Sequence, residues 1–387
     1  MEPFELYSEQ IDADPFPGYA RLRDNHPCYW SESAGLWILS RYEDVLKAAQ
    51  DWETFSSLRG NLVDEIPGRS GGTLGTTDPP HHDRLRVLAQ AAFTRKAFER
   101  LAEPAAEIVD AALDNIVSKD SFDFVGEYSS IVTVGTIFRM LGLPERDPTE
   151  TRKQVVLSIS TDKKARGRNP ELDQAFKGLT EFLASEIALR RANPADDLIT
   201  ALAEAEIDGE RLSEREVMLT TTMFVVAGVE SLSSFMSVFA LNLAQHPDAR
   251  RRIAEDPELT PQAIEESLRF NTSAQRFKRT ATRDVELHGE KIAEGDAIVL
   301  AYGAANRDGR QFKDPDIFNI DRNPRGHLGF GSGKHFCIGS GFARMVSRIA
   351  ADRLLARVPE FELDHPDFAW IPSSNFRSPV TLPLKIL

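Results

Sequence analysis

One short segment concentrates the residues able to do chemistry: His327-Leu328-Gly329-Phe330-Gly331-Ser332-Gly333-Lys334-His335-Phe336-Cys337-Ile338-Gly339. Three glycines within five residues let the backbone approach a flat or anionic ligand closely. Gly333-Lys334 is similar to the end of a phosphate loop, GxxxxGK[ST]. Leu328, however, stands where the first glycine belongs, and His335 where the hydroxyl residue belongs. A dinucleotide fingerprint fails as well, because no strand followed by GxGxxG is present. Two readings stay open from this loop alone: a ligand-binding turn, or a glycine-rich turn that holds a buried cysteine.

Other residues share helical faces. Glu266 and Arg269 are spaced i,i+3, which by itself usually means a solvated surface pair. His82 and Arg86 are spaced i,i+4 and lie on one face, whereas His81 and His82 point to different faces and make a poor zinc site. Ala227 and Gly228 are small residues in an apolar run, a pattern that also serves close helix packing, and Ala227 shares a face with Ser231.

The elements that must carry these residues are mainly helical. Gly35 to Ser40 reads as a strand and Arg41 to Ala49 as a helix. Residues 59–80 hold five glycines and three prolines and read as a long irregular loop, which in compact domains is often functional. From His81 to about Leu268 the pattern is mostly helical. The longest helix signal begins at Ser213, which with Glu216 fits a capping box, and runs to Ala244. About 30 residues at 1.5 Å each span roughly 45 Å. The segment is apolar nearly all round, so it should be buried. Thr260-Pro261 is expected to supply an N-cap and N1 proline for a helix to about Phe270. Val285 to Leu287, Ala297 to Ala301 and Val380 to Leu384 read as strands. The expected fold class is mainly α with minor β (α+β), in a single domain over residues 1–387.

Composition narrows the function classes. The chain has 387 residues with 46 Lys plus Arg against 60 Asp plus Glu, a net charge of −14, which argues against a general nucleic-acid binder. Hydrophobic residues at 41% and charged residues at 27% suit a globular protein with a large core. Cys28 and Cys337 are too far apart in sequence for a CxxC zinc site, and two cysteines make no disulfide framework, so a reducing, cytoplasmic setting is expected. The first residues, Met1 to Glu5, lack the basic and apolar regions of a secretory signal. No uncharged apolar run of about 18 residues occurs, so no membrane span is expected.

Phe330 to Gly339 reads F-G-x-G-x-H-x-C-x-G, which closely resembles the haem-binding loop of the cytochrome P450 superfamily, soluble bacterial (class I) branch. Four further segments resemble that family's motifs in the same order. Asp78-Pro79-Pro80-His81-His82-Asp83-Arg84-Leu85-Arg86 matches DPPxHxxLR, Val226 to Ser231 matches the oxygen-binding A-G-x-[DE]-T, and Glu266 to Arg269 matches ExxR. Arg279, with His335, matches the remaining propionate partners. The resemblance runs from about residue 15 to the C-terminus and implies the cytochrome P450 fold, with a long central helix over the haem. By that resemblance Cys337 is the proximal ligand and metal ligand of haem b, with Phe330, Gly331 and Gly339 shaping its loop. A helix starting at Ile338-Gly339 would aim its amides at the sulfur and favour a thiolate, the donor that assists O–O scission.

The same resemblance assigns His82, Arg86, Arg279 and His335 to the propionates, and Glu230 with Ser231 to proton delivery beside Ala227 and Gly228. Glu266 and Arg269 form a buried structural ion pair that holds the cysteine loop with a third basic residue. Ile317 stands where that residue is usual, leaving Arg322 as the nearest candidate. Ser231 stands where the family usually has Thr; it keeps the hydroxyl and loses the methyl group that restricts its rotamer. Pocket walls by analogy are the 59–76 loop, Phe224, Val225, Ser273 to Phe277, and Asn375 with Phe376. They favour a small hydrophobic or aromatic substrate, with Arg59, Arg276 or Arg377 as candidate carboxylate binders. The implied activity is haem-thiolate monooxygenation, hydroxylating or dealkylating the substrate. A peroxide-driven peroxygenase is the rival, opposed by retention of Glu230. This length leaves no space for a reductase domain beside the fold, so electrons are expected from ferredoxin and ferredoxin reductase. Lys334, Arg84 and Arg344 are candidate docking cations. A monomer is expected.

Overall fold

The computed structural model describes residues 4–92, 95–207 and 209–387; Met1 to Pro3, on which the expectation of no leader partly rests, lie outside them. Five short strands form the largest sheet, in the order Cys28–Ser31, Leu36–Leu39, Ala297–Leu300, Phe277–Ala281, Phe55–Ser56. Leu36–Leu39 pairs parallel with Ala297–Leu300, with Trp37 opposite Ile298, while Val299 faces Lys278 across an antiparallel ladder. The two central strands are buried along nearly their whole length, which is why they read as continuous apolar runs rather than alternating ones. Trp37 Nε1 donates to Asp296 Oδ2 at 2.9 Å and pins this joint between the two ends of the chain.

The long helix, Glu214–Gln245, spans 32 residues. Its start follows the expected chemistry: Ser213 Oγ accepts the Glu216 amide at 3.3 Å, and Glu216 Oε2 accepts the Ser213 amide at 2.7 Å. It packs against helices Ser130–Leu141, Pro148–Ser158 and Pro170–Ala192, so neighbours cover it on several sides. Among the described residues it alone is long and apolar enough to cross a bilayer by length and composition, and 78% of that apolar window is buried inside the fold. Two of its serines are satisfied by a neighbouring element: Ser233 Oγ and Ser237 Oγ lie 2.9 Å and 3.1 Å from Ser129 Oγ.

Three boundary expectations change. The Thr260–Phe270 helix continues directly from a tight turn at Pro257–Leu259, so Thr260 is a helical residue rather than the N-cap, and its hydroxyl donates to Asp352 Oδ1. The helix after the cysteine begins at Ser340, capped by Gly339, and runs to Arg357. The last strand is Pro383–Ile386, shifted toward the C-terminus, where it pairs with Phe361–Leu363 and Ser121–Asp123.

Candidate active site

The cysteine turn is closed by the Cys337 amide donating to Phe330 O at 3.0 Å. Gly333 adopts φ +67°, and a Cβ there would lie 2.6 Å from the Ala49 carbonyl, so only glycine lets the turn rest on helix Tyr42–Gln50. Arg344 lays its guanidinium over the Phe330 ring, 4.4 Å from the centroid. Burial raises the Cys337 pKa, opposed by the Gly339 amide, Arg86 and Arg344. The Gly339 amide at the helix start acts in the direction the sequence leads one to expect, toward the thiolate, while burial acts against it. A metal ion on the sulfur deprotonates a thiol outright.

Beneath the turn lies a fully buried ion pair. Arg269 Nε and Nη2 donate to Glu266 Oε2 and Oε1, both at 2.8 Å, and both residues are 0% exposed. Arg269 Nη1 donates to the carbonyls of Asn306 (3.0 Å) and Pro315 (2.8 Å). Arg322 is the third basic residue: its Nε donates to Glu266 Oε1 at 3.0 Å. Ile317 is 60% exposed, and it contributes its carbonyl, which accepts from both arginines. The neighbouring Glu265 accepts from Arg344 Nε (2.6 Å) and Nη2 (2.9 Å) and pairs with His327 Nε2 at 2.8 Å. It thereby ties both flanks of the turn. Burial opposes its ionisation, but these partners overcome it and hold its pKa down to about 2. Sequence reading missed Glu265; its position one residue before the ExxR glutamate was the available signal.

Between the turn and the long helix is a cavity of about 330 Å³. Phe330, Gly331, His335, Cys337 and Gly339 border it from the turn. Phe224, Ala227, Gly228 and Ser231 border it from the long helix, and Ser273, Phe277 and Phe376 from the loops. Val225 does not: it is 0% exposed and packs in the helical core, while Met223 and Val226 take the cavity face. Gly228 also answers to packing, since a Cβ there would lie 2.5 Å from Ile137 Cδ1. Of the expected carboxylate binders, Arg276 and Arg377 are buried away from the wall and Arg59 is exposed outside it. Arg69, which sequence reading passed over, is the arginine of the 59–76 loop that lines the cavity.

Glu230 lies outside the wall, fully buried. Ser234 Oγ donates to its Oε1 at 2.6 Å, and Arg152 Nη2 stands 3.4 Å from its Oε2, which accepts no hydrogen bond. Burial raises its pKa above the usual carboxylate range, opposed by Arg152 and then by Ser234.

One edge of the cavity is cationic. Arg86 Nη1 donates to the carbonyls of Lys334 and Phe336, both at 3.0 Å, and Arg279, 3% exposed, donates to Lys278 O at 2.8 Å. Neither forms an ion pair with a carboxylate among the described residues. His82 is fully buried outside the wall, its ring 4.8 Å from that of His335, and its Nε2 has no hydrogen-bond partner. His335 Nδ1 donates to Leu74 O at 3.0 Å, and burial lowers this imidazole to about 4, so its neutral Nε2 accepts from Ser57 Oγ at 3.1 Å. Two guanidinium groups without counterions on this edge fit a ligand that carries two carboxylates into the cavity. A haem bound through Cys337 would bring such carboxylates to this edge.

The expected docking cations are each already paired: Arg84 with Glu210 and Glu216, Lys334 with Asp83, and Arg344 with Glu265.

Comparisons with known proteins agree with this geometry. The family model described as Cytochrome P450 matches residues 19–378. Cytochrome P450 107B1 of Saccharopolyspora erythraea is 35% identical, covering 98% of this chain and 96% of its own. Steroid C26-monooxygenase of Mycolicibacterium smegmatis is 32% identical, covering 95% and 91%. Among solved structures, the bacillaene polyketide synthase cytochrome P450 PksS of Bacillus subtilis superposes with a TM-score of 0.91 at 29% identity, covering 99% of both chains.

Proposed function

The chain belongs to the cytochrome P450 family and is a cytochrome P450 monooxygenase, and from that premise we propose that it hydroxylates or oxidatively dealkylates a small hydrophobic or aromatic substrate. The observation that carries the reading is the placement of Cys337 on one side of the cavity, opposite Ala227 and Ser231 on the long helix. The family implies a haem iron, and we assign it as haem b. Bound there, the haem supplies the reductive activation of dioxygen and the transfer of one oxygen atom to substrate.

The chain's own residues do the rest. Cys337 Sγ would hold the iron, with the Gly339 amide and Arg344 moderating its charge. Arg86 and Arg279 would hold the two propionates, with His82 and His335 beside them. Ala227 leaves space beside the ligand, and the Ser231 hydroxyl donates a proton into it. From behind the wall Glu230 replenishes that proton, its Oε1 accepting from Ser234 Oγ and its Oε2 beside Arg152 Nη2. Apolar residues such as Ile66, Leu74, Met140 and Phe176 line the distal cavity and exclude water. The relative that acts on a steroid supports a hydrophobic substrate. Electrons arrive from a separate ferredoxin and its reductase.

The test is turnover of a hydrophobic compound panel under two regimes. With ferredoxin, reductase and NAD(P)H, oxygenated product is expected; hydrogen peroxide alone should give little. Equal turnover with peroxide alone would establish the peroxygenase instead.

A further inference from the structure

Two hydroxyls of the cavity wall, Thr73 in the 59–76 loop and Thr222 on the long helix, are spent internally. Thr73 Oγ1 and Thr76 Oγ1 lie 2.9 Å apart, and Thr222 Oγ1 donates to Met218 O at 2.8 Å. Arg69 differs. Its Nε donates to Glu65 Oε1 at 2.8 Å, and its Nη2 donates to Glu65 Oε2 at 2.9 Å and to Asn61 Oδ1 at 2.6 Å. The other terminal nitrogen, Nη1, has no hydrogen-bond partner among the described residues, and Arg69 lines the cavity while Glu65 does not.

Glu65 is held in place behind the wall. Its Oε2 accepts the Leu62 amide and its Oε1 the Ile66 amide, both at 3.1 Å. Gly60, at φ +100°, makes room for it, because a Cβ there would fall on the Glu65 carboxylate. The loop thus presents a guanidinium whose charge is cancelled from behind by a bidentate carboxylate. Asp64 and Lys278 add one further charge of each sign nearby, so the balance holds.

A carboxylate ligand approaching a neutral ion pair gains little Coulomb energy for its desolvation, whereas a neutral acceptor needs only one N–H. We propose that Arg69 is a specificity-determining residue whose free Nη1 edge selects a neutral apolar substrate bearing a carbonyl oxygen and discriminates against its carboxylate counterpart. This rests on the monooxygenase reading of the cavity.

Calorimetric titration of the haem-loaded protein with phenylcyclohexanone, phenylcyclohexane and phenylcyclohexanecarboxylate tests it. The ketone is expected to bind about tenfold tighter than the hydrocarbon, the gain of one hydrogen bond to a charged donor. The carboxylate should bind no tighter than the hydrocarbon. Arg69→Met should erase the ketone's advantage. Glu65→Gln uncovers the guanidinium charge and should tighten carboxylate binding by about tenfold over the unaltered protein, a gain that mere loss of structure cannot produce. Equal ketone and hydrocarbon affinities, or ratios unmoved by both substitutions, would overturn the proposal. The carbon monoxide spectrum of the same preparation separates the two levels: a thiolate-type spectrum without ketone preference sinks the role of Arg69 alone.

Discussion

Arg322 Nε donates to Glu266 Oε1 at 3.0 Å, joining Arg269 Nη2, which reaches the same oxygen at 2.8 Å. The Asn319 amide is a third donor to that oxygen, also at 3.0 Å. A buried carboxylate thus fastens the helix Thr260–Phe270 to the segment that leads into the cysteine turn. Glu266→Gln leaves two arginines without their counterion and should cost about 3–5 kcal/mol. Arg322→Met removes the charge-assisted hydrogen bond to Glu266 together with those to the carbonyls of Lys313, Asp314 and Ile317, and should cost at least about 1.5–3 kcal/mol. Urea unfolding and haem content per chain measure both. Equal stability of the Arg322 variant and the unaltered protein would show the third partner to be dispensable.

Ser231 lines the cavity, while Glu230, its neighbour in sequence, sits behind the wall. Ser231→Ala should lower product formed per NAD(P)H consumed and raise peroxide release. Ser231→Thr, which restores the rotamer-limiting methyl group, should raise that ratio above the unaltered protein. Unchanged coupling in both variants would remove the hydroxyl from proton delivery.

Gly228 faces Ile137 Cδ1, which a Cβ would approach to 2.5 Å. Gly228→Ala should therefore destabilise by about 1–3 kcal/mol through overpacking. Adding Ile137→Ala should return part of that loss, because the two changes share one contact. Additive losses in a double-mutant cycle by urea unfolding would contradict the packing role.

How far the site could be read from sequence follows from these same residues. The cysteine turn, the ExxR pair and the capping box at Ser213 depend on local spacing, and local spacing is written in the chain. The facing of Val225 was not: a helix apolar nearly all round offers no polar face from which to take its rotation. The role of Arg322 depends on how the 315–322 segment folds back on Glu266, a long-range contact without sequence periodicity. Arg69 was hidden because its loop has no regular pattern, and Gly60, Asn61 and Glu65 together position its guanidinium. The burial that opposes the Cys337 thiolate was not legible either, since desolvation depends on three-dimensional packing that no motif encodes.

Glu265 supplies a pH signature. Its folded pKa is held at about 2, below the ordinary value of 4.5, by Arg344 and His327. A depressed carboxylate contributes stability that is fully present above pH 4.5 and is lost as pH falls toward 2. With Glu265 28% and Arg344 39% exposed, solvent screening reduces the contribution to about 1–2 kcal/mol. Glu265→Gln should lower stability at pH 6 by that amount, and the difference should shrink as the pH drops below 4.5. A difference constant from pH 6 to pH 3, followed by circular dichroism of urea unfolding, would show that the ion pair is not its source.

The proposed bond from Cys337 Sγ to a haem iron is tested most directly by reducing the purified pigment under carbon monoxide. The account expects a Soret band displaced far to long wavelength, the mark of an anionic sulfur ligand, and its loss in Cys337→Ala. A band where imidazole-ligated haemoproteins absorb, or a preparation that holds no haem after reconstitution, would contradict it.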